Sequence, residues 1–208
     1  MKNFIVLTIF FLISFLAVCQ SFQKGNYDLK AGLGAGIFSI ETNDPADSSI
    51  QGIGMITINY PVQFHYSIRD KWSLGFSLAK NHIITNIESN NVYANLNHIG
   101  AIVQYRVANE QDDAINLDAS FGYTGFSWND KKRKEKISGD GSFFQLGASY
   151  NHYFTNVSGI YFNFNFVTIE LKDIKNTYNQ HVTYGFGAYQ LAIFARGISL
   201  GTGICLKF

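Results

Sequence analysis

Strict alternation of apolar and polar residues, repeated in segment after segment, constrains this chain more than any other feature of its sequence. Successive side chains leave a β-strand on opposite sides, so a period of two marks strands with two unlike faces. From Tyr27 to Ile37 one face carries Tyr27, Leu29, Ala31, Leu33, Ala35 and Ile37, and the other Asp28, Lys30, Gly32, Gly34 and Gly36. The same pattern returns near Ile56–Ile68, Trp72–Leu78, Ile99–Val107, Ile115–Tyr123, Phe144–Phe154, Ile160–Phe166 and Ile198–Phe208. Eight alternating segments predict an all-β chain, and the sequence before Tyr27 is of another kind.

Met1-Lys2-Asn3 is a short positive start, and Phe4 to Val18 is apolar apart from Thr8 and Ser14. Ala17-Val18-Cys19-Gln20-Ser21 follows with small residues suited to cleavage. That order is the pattern of a secretory signal peptide, and the run is short for a membrane-crossing helix. We expect residues 1–21 to be removed, with the cut after Cys19 or after Ser21, and 22–208 to form one domain. Leu16-Ala17-Val18-Cys19 is also a degenerate lipidation motif, which keeps a lipid anchor at Cys19 as the alternative. Removal of the leader leaves Cys205 alone, and one cysteine forms neither an internal disulfide nor a cysteine-based metal site. Cys205 is read as a small residue at a crowded inward position.

Alternation alone also suits a soluble sandwich or barrel with its apolar face inward. Three observations favour the opposite arrangement. Charged residues are only 15 % of the chain, against 16 % aromatic, with 19 Phe and 12 Tyr. The polar face is accordingly mostly Gly, Ser, Asn and Gln, the side chains that fill the cramped interior of an eight-stranded barrel. The breaks between segments alternate in length. Ile40–Gly54, Lys80–Asn97, Ser127–Gly141 and the stretch after Phe166 are long; Arg69–Lys71, Ala108–Asp113 and Thr155–Ser158 are short. Short turns at one end and long loops at the other are expected of outer-membrane barrels, and a signal peptide makes the long set extracellular. Finally, Tyr66, Trp72, Tyr105, Phe154 and Phe208 lie on the apolar face beside the short turns or the terminus, as one ring of an interfacial girdle does. A closed barrel satisfies every backbone polar group inside lipid without helices. The fold expected is therefore a closed antiparallel up-and-down transmembrane β-barrel of eight strands.

The chain ends Gly203-Ile204-Cys205-Leu206-Lys207-Phe208. Its Gly203, Leu206 and Phe208 resemble the C-terminal assembly signal of outer-membrane barrels. With the eight segments, the chain resembles the small porin-like families that include outer membrane protein X and the transmembrane domain of outer membrane protein A. The resemblance covers about Asn26 to Phe208. It implies a bacterial outer-membrane location and recognition of the last strand by the barrel assembly machinery. It also implies outer-membrane lipids and lipopolysaccharide as surroundings, for a chain that works as a monomer.

One region resists the scheme. Between Phe166 and Gly197 stand Thr168-Ile169-Glu170-Leu171 and Val182-Thr183-Tyr184-Gly185-Phe186-Gly187-Ala188-Tyr189. These are either strands projecting beyond the membrane or an inserted hairpin, with Arg196-Gly197 read as a bulge that re-aims the last strand. A ninth strand conflicts with the even count of single-chain bacterial barrels.

Inward charges are few: Asp28, Lys30, Arg106, Asp118, Arg196 and Lys207, joined by the inward histidines His65 and His98. We read them as a polar network plugging the lumen, with a charged constriction in a narrow pore as the alternative. His65, His82, His98, His152 and His181 form no recognised ligand spacing with Cys, Asp or Glu, so no metal or cofactor is expected. His152 faces lipid at an interface, which invites comparison with lipid-modifying barrel enzymes, but no Ser shares its face nearby. No catalytic residue is assigned and the chain is read as non-enzymatic. Lys131, Lys132, Arg133, Lys134 and Lys136 form a basic run in an extracellular loop, able to meet phosphates of lipopolysaccharide or to stay solvated. The net charge of +1 argues against nucleic-acid binding. The role expected is structural, surface-interacting or envelope-maintaining, with a narrow solute channel as the alternative.

Overall fold

In the computed structural model, which describes residues 22–44, 53–84, 92–110, 112–184 and 189–208, each alternating segment is one long strand. The strands are β1 Tyr27–Thr42, β2 Ile53–Arg69, β3 Trp72–Ile84, β4 Val92–Asn109, β5 Asp113–Asp130, β6 Glu135–Tyr153, β7 Ser158–Leu171 and β10 Ile193–Lys207. Two short strands, β8 Thr183–Tyr184 and β9 Tyr189–Gln190, form a separate hairpin. The eight long strands close into an antiparallel barrel in which every neighbour in sequence is a neighbour in space. β1 and β10 shut the ring, with Asp28 opposite Lys207 and Thr42 opposite Ile193. The signal-peptide region and its cleavage positions lie outside the described residues.

Orientation of the faces follows the residues. Leu33, Ile37, Phe121, Tyr123, Phe164 and Leu200 point away from the barrel, and Phe121 is 59 % exposed. Their partners in the alternation fill the lumen. A face so apolar is favourable only against an apolar solvent, which makes this a membrane barrel rather than a soluble one with an apolar core. Tyr66, Trp72, Tyr105, Phe154 and Phe208 all lie on the outer wall near the short turns, where Trp72 and Tyr105 stack at 4.9 Å.

The strands run further than the alternation of hydrophobicity alone indicates. β5 has 18 residues and β6 19, whereas ~9–11 suffice to cross a bilayer. At ~3.3 Å per residue, β5 is about 60 Å long. The excess lies at the end away from the termini, so the long loops expected there are partly wall. The clearest correction concerns Ser127–Gly141: β5 and β6 pair without a break from Asp113↔His152 to Asp130↔Glu135, leaving only the turn Lys131–Lys134. The basic run is the tip of a stiff hairpin instead of a long loop. Asp130 caps it, accepting the amides of Lys132 and Arg133 at 2.9 and 3.0 Å.

The region after Phe166 also takes a definite form. Thr168–Leu171 is the top of β7, in register with Phe194↔Glu170 and Phe144↔Thr168. Residues 172–184 and 189–192 lie over the mouth as a lid carrying β8 and β9. Ser138 and Lys175 exchange backbone hydrogen bonds at 2.7–2.9 Å, fixing the lid to β6. On the other side, Asn43 accepts the Ala192 amide at 2.8 Å and donates to the Gln190 carbonyl at 3.1 Å. No bulge occurs at Arg196-Gly197, because β10 keeps its register with both β1 and β7.

Candidate functional site

Even-numbered residues of β1 and β4 and odd-numbered residues of β2, β7 and β10 enter the lumen. Near the short turns this parity gathers Asp28, Lys30, His65, Arg106, Asp118 and Lys207, all buried. Lys30 Nζ stands 3.7 Å from Asp28 Oδ2 and donates to Ser149 Oγ at 3.3 Å. Ser149 in turn donates to Asp118 Oδ2 at 3.0 Å, and Gln104 Nε2 donates to Asp118 Oδ1 at 2.8 Å. His65 Nδ1 lies 3.7 Å from Asp28 Oδ2. Arg106, with no exposed surface, donates to Ser67 Oγ at 3.0 Å and to the Asp70 carbonyl at 3.3 Å. The charges thus span the lumen through hydroxyl and amide intermediaries, as burial of charge requires.

A residue outside the sequence-read network seals this plug. Phe22 is 2 % exposed and sits under the barrel floor. The Arg106 guanidinium lies 4.1 Å from its ring centroid and Lys207 Nζ 5.1 Å, while Tyr153 meets it edge-on at 5.5 Å. Asn109 holds its backbone, accepting the Phe22 amide at 3.1 Å and donating to its carbonyl at 2.8 Å.

Two of the residues expected in the network lie outside it. His98 points into the lumen as expected but sits higher, its ring tilted against Phe143 at 4.8 Å. Arg196 is a correction: it is exposed on the outer wall, and Ala195 takes the lumen position. With no bulge to shift the parity, Arg196 belongs with Ile198 and Leu200 outside. Above the plug, a cavity of ≈40 Å³ touches Gln63, Asn81, His98 and Asn165. This is little more than the ~30 Å³ share of one water molecule in the liquid.

Above that level the interior changes character. Phe38 and Phe143 form a floor, and Met55, Leu96, Ile169, Leu171 and the lid residue Ile174 are buried in one apolar cluster with them. The half-buried Phe126, Val182 and Leu191 pack against it. Within this upper chamber lies a cavity of ≈440 Å³ bordered by Ile40, Met55, Leu96, Phe126, Trp128 and Ile169. A groove of ≈450 Å³ adjoins it, between the β5–β6 tip and residues Asn176–Tyr178. Trp128 lines both spaces. On the lid, Asp173 binds Lys175 at 2.8 Å and His181 at 2.9 Å. The Lys175 ammonium holds the Asp173 carboxyl below its usual range, and Asp173 in return raises Lys175.

On the outer wall near the short turns, His152 Nδ1 lies 2.9 Å from Asp113 Oδ1, which also accepts the Tyr150 hydroxyl. Among the described residues, no three of His, Cys, Asp and Glu come together as a metal site. At the chain end, Leu206 is buried while Phe208 is exposed, and Tyr27 and Phe208 exchange backbone hydrogen bonds at 2.9 Å.

No protein-family model and no curated protein matches the sequence. Solved structures do match in fold. Neisserial surface protein A aligns with a TM-score of 0.56 at 12 % identity, over 89 % of this chain and 98 % of that one. Outer membrane protein AlkL, determined in lipid bilayers, aligns at 0.54 and 10 % identity, over 92 % and 94 %. OprG from Pseudomonas aeruginosa aligns at 0.51 and 12 % identity, over 92 % and 99 %. The resemblance read from the sequence thus holds as a likeness of fold to small outer-membrane barrels.

Proposed function

We propose that this chain is an integral bacterial outer-membrane barrel that acts at the cell surface by binding, neither catalysing a reaction nor conducting solutes. The observation that carries this reading is the plug. Asp28, Lys30, His65, Arg106, Asp118 and Lys207 fill the lumen at the end of the short turns, with Phe22 beneath them. An ion crossing the barrel would have to pass the buried Lys30–Asp28 ion pair and a 2 % exposed ring together. In this orientation the short turns face the periplasm, and the lid and the basic tip face outward. Outer-membrane lipids and lipopolysaccharide surround the wall, the assembly machinery reads Gly203, Leu206 and Phe208, and the barrel works as a monomer. The non-enzymatic reading draws on the engagement of titratable groups in holding structure: Lys30 faces Asp28, Asp118 accepts from Gln104 and Ser149, Arg106 donates to Ser67, and His152 is held by Asp113.

The test is planar-bilayer recording of the refolded protein. The closed reading expects no stable steps; ohmic steps from the wild-type chain would establish the narrow channel instead. Resistance to carbonate extraction from membranes checks the integral placement, and recovery in the soluble fraction would overturn it.

A further inference from the structure

The upper chamber is apolar, dry in composition and closed below, whereas the lower half is packed with polar groups. Filling the barrel for stability alone does not require a ≈440 Å³ space lined by Ile40, Met55, Leu96 and Phe126. The groove beside it carries Arg133, Lys134 and Lys136 against Glu135 and Asp130, whose Oδ2 lies 3.9 Å from Arg133 Nε, leaving an excess of positive charge. Trp128 borders both, so the apolar space and the cationic groove lie against one ring.

We propose that the upper chamber binds a single-chain anionic amphiphile, such as a long-chain carboxylate, with its tail on the Phe38–Phe143 floor and its head among Arg133, Lys134 and Lys136. This rests on the surface-binding reading above and names the ligand class. Size and charge together select the class. A methylene fills about the ~30 Å³ of a water molecule in the liquid, so ≈440 Å³ takes one chain of roughly twelve to fifteen carbons. That is too little for the paired or multiple chains of a membrane lipid. A neutral alkane would leave the cations unused, and a cationic amphiphile would be repelled by them. Trp128 at the junction suits the place where chain becomes head, since its ring is apolar and its N–H polar.

Trp128 also supplies the measurement. The chain has two tryptophans, and the other, Trp72, lies on the outer wall near the short turns. Trp72→Phe protein in zwitterionic phospholipid nanodiscs therefore reports from the chamber alone. Dodecanoate brominated near its head should quench Trp128 saturably, and an equal-length quaternary ammonium should not compete with it. Affinity should rise about ten-fold for each two carbons added, then level off at roughly twelve to fifteen. Ala195→Phe, which places a ring in the chamber, should abolish saturable quenching. Arg133→Gln, Lys134→Gln and Lys136→Gln together, all at exposed positions, should weaken carboxylate binding at least several-fold and remove its salt dependence. Quenching that never saturates, or that keeps rising with chain length, means simple partition into the bilayer and overturns the proposal. Equal quenching by a brominated two-chain anionic phospholipid overturns it in favour of bilayer contact. Equal binding of the quaternary ammonium, or no loss in the triple variant, overturns the head site. Conductance steps with saturable quenching intact would overturn only the closed reading, so the two failures are distinguishable.

Discussion

Along β5 the residues entering the lumen are first Asn116, Asp118, Ser120 and Thr124, then Phe126 and Trp128. Along β7 they are Tyr161, Asn163 and Asn165, then Val167, Ile169 and Leu171. Two chambers with opposite chemistry are thus stacked inside one wall, which keeps its register through both levels. The contrast separates two kinds of information in a barrel sequence. Alternation decides which side chains look inward. What they do there is decided level by level, by whether each cross-section is filled by partners or left as space. In the lower chamber a buried charge is tolerable only because its partners reach across, whereas the upper chamber makes no such demand.

The largest expected effect comes from breaking the lower chamber. Asp28→Ala leaves the buried Lys30 ammonium without its carboxylate and should cost about 3–5 kcal/mol. The midpoint of urea unfolding in vesicles reads this loss. In the upper chamber, Ile169→Ala should cost only about 2 kcal/mol in the same assay, the low end for such truncations. Ile169 already borders a cavity, so fewer contacts are lost. A cost equal to that of Asp28→Ala would mean that both chambers are packed alike. Gly32→Ala tests how tightly the lower level is filled. A Cβ there would meet the Thr202 carbonyl oxygen at 2.3 Å and the Tyr161 hydroxyl at 2.4 Å. Overpacking of this kind costs about 1–3 kcal/mol, with the backbone contact favouring a cost over relief.

The smallest effect concerns the lid. Asp173 has its pKa lowered, so what it adds is complete above the ordinary carboxylate value of 3.8 and is lost as pH falls through its lower folded value. Lys175 is raised, so its share is lost only as pH climbs past the ordinary 10.5. Exchange of the Lys175 amide, bonded to the Ser138 carbonyl at 2.7 Å, should therefore show flat protection through the neutral range. It should loosen only at the acid and alkaline extremes. A change near neutral pH would point to another group holding the lid.

Much of this organisation is legible in the sequence, and the parts that are not have definite reasons. The outer wall and the count of eight follow from parity, which Leu33, Phe121 and Leu200 keep throughout. The plug is legible for the same reason, since Asp28, Lys30, Arg106 and Lys207 are charges at inward positions. Arg196 is misplaced by the inward reading, since β10 keeps its register through Gly197 and parity puts it outside. The upper chamber is hidden because an apolar interior behind an apolar wall erases the alternation. At Phe166-Val167 both faces are apolar, so the strand seems to end where it in fact continues. The same loss of contrast made Ser127–Gly141 resemble a loop. Phe22 gives no signal, since its partners Arg106 and Asn109 are far along the chain.

The hydrogen bonds between Tyr27 and Phe208 have a consequence in time. They join the first residue of β1 to the residue after β10, so the ring cannot close until β10 is in place. Before then β1 and β7 are open edges. Closure across nearly the whole chain length is slow by nature, since distant contacts carry a large loop entropy. The open edges must therefore be kept from other strands until then, and contacts that span the seam, such as Lys30 with Ser149, form only as the ring closes.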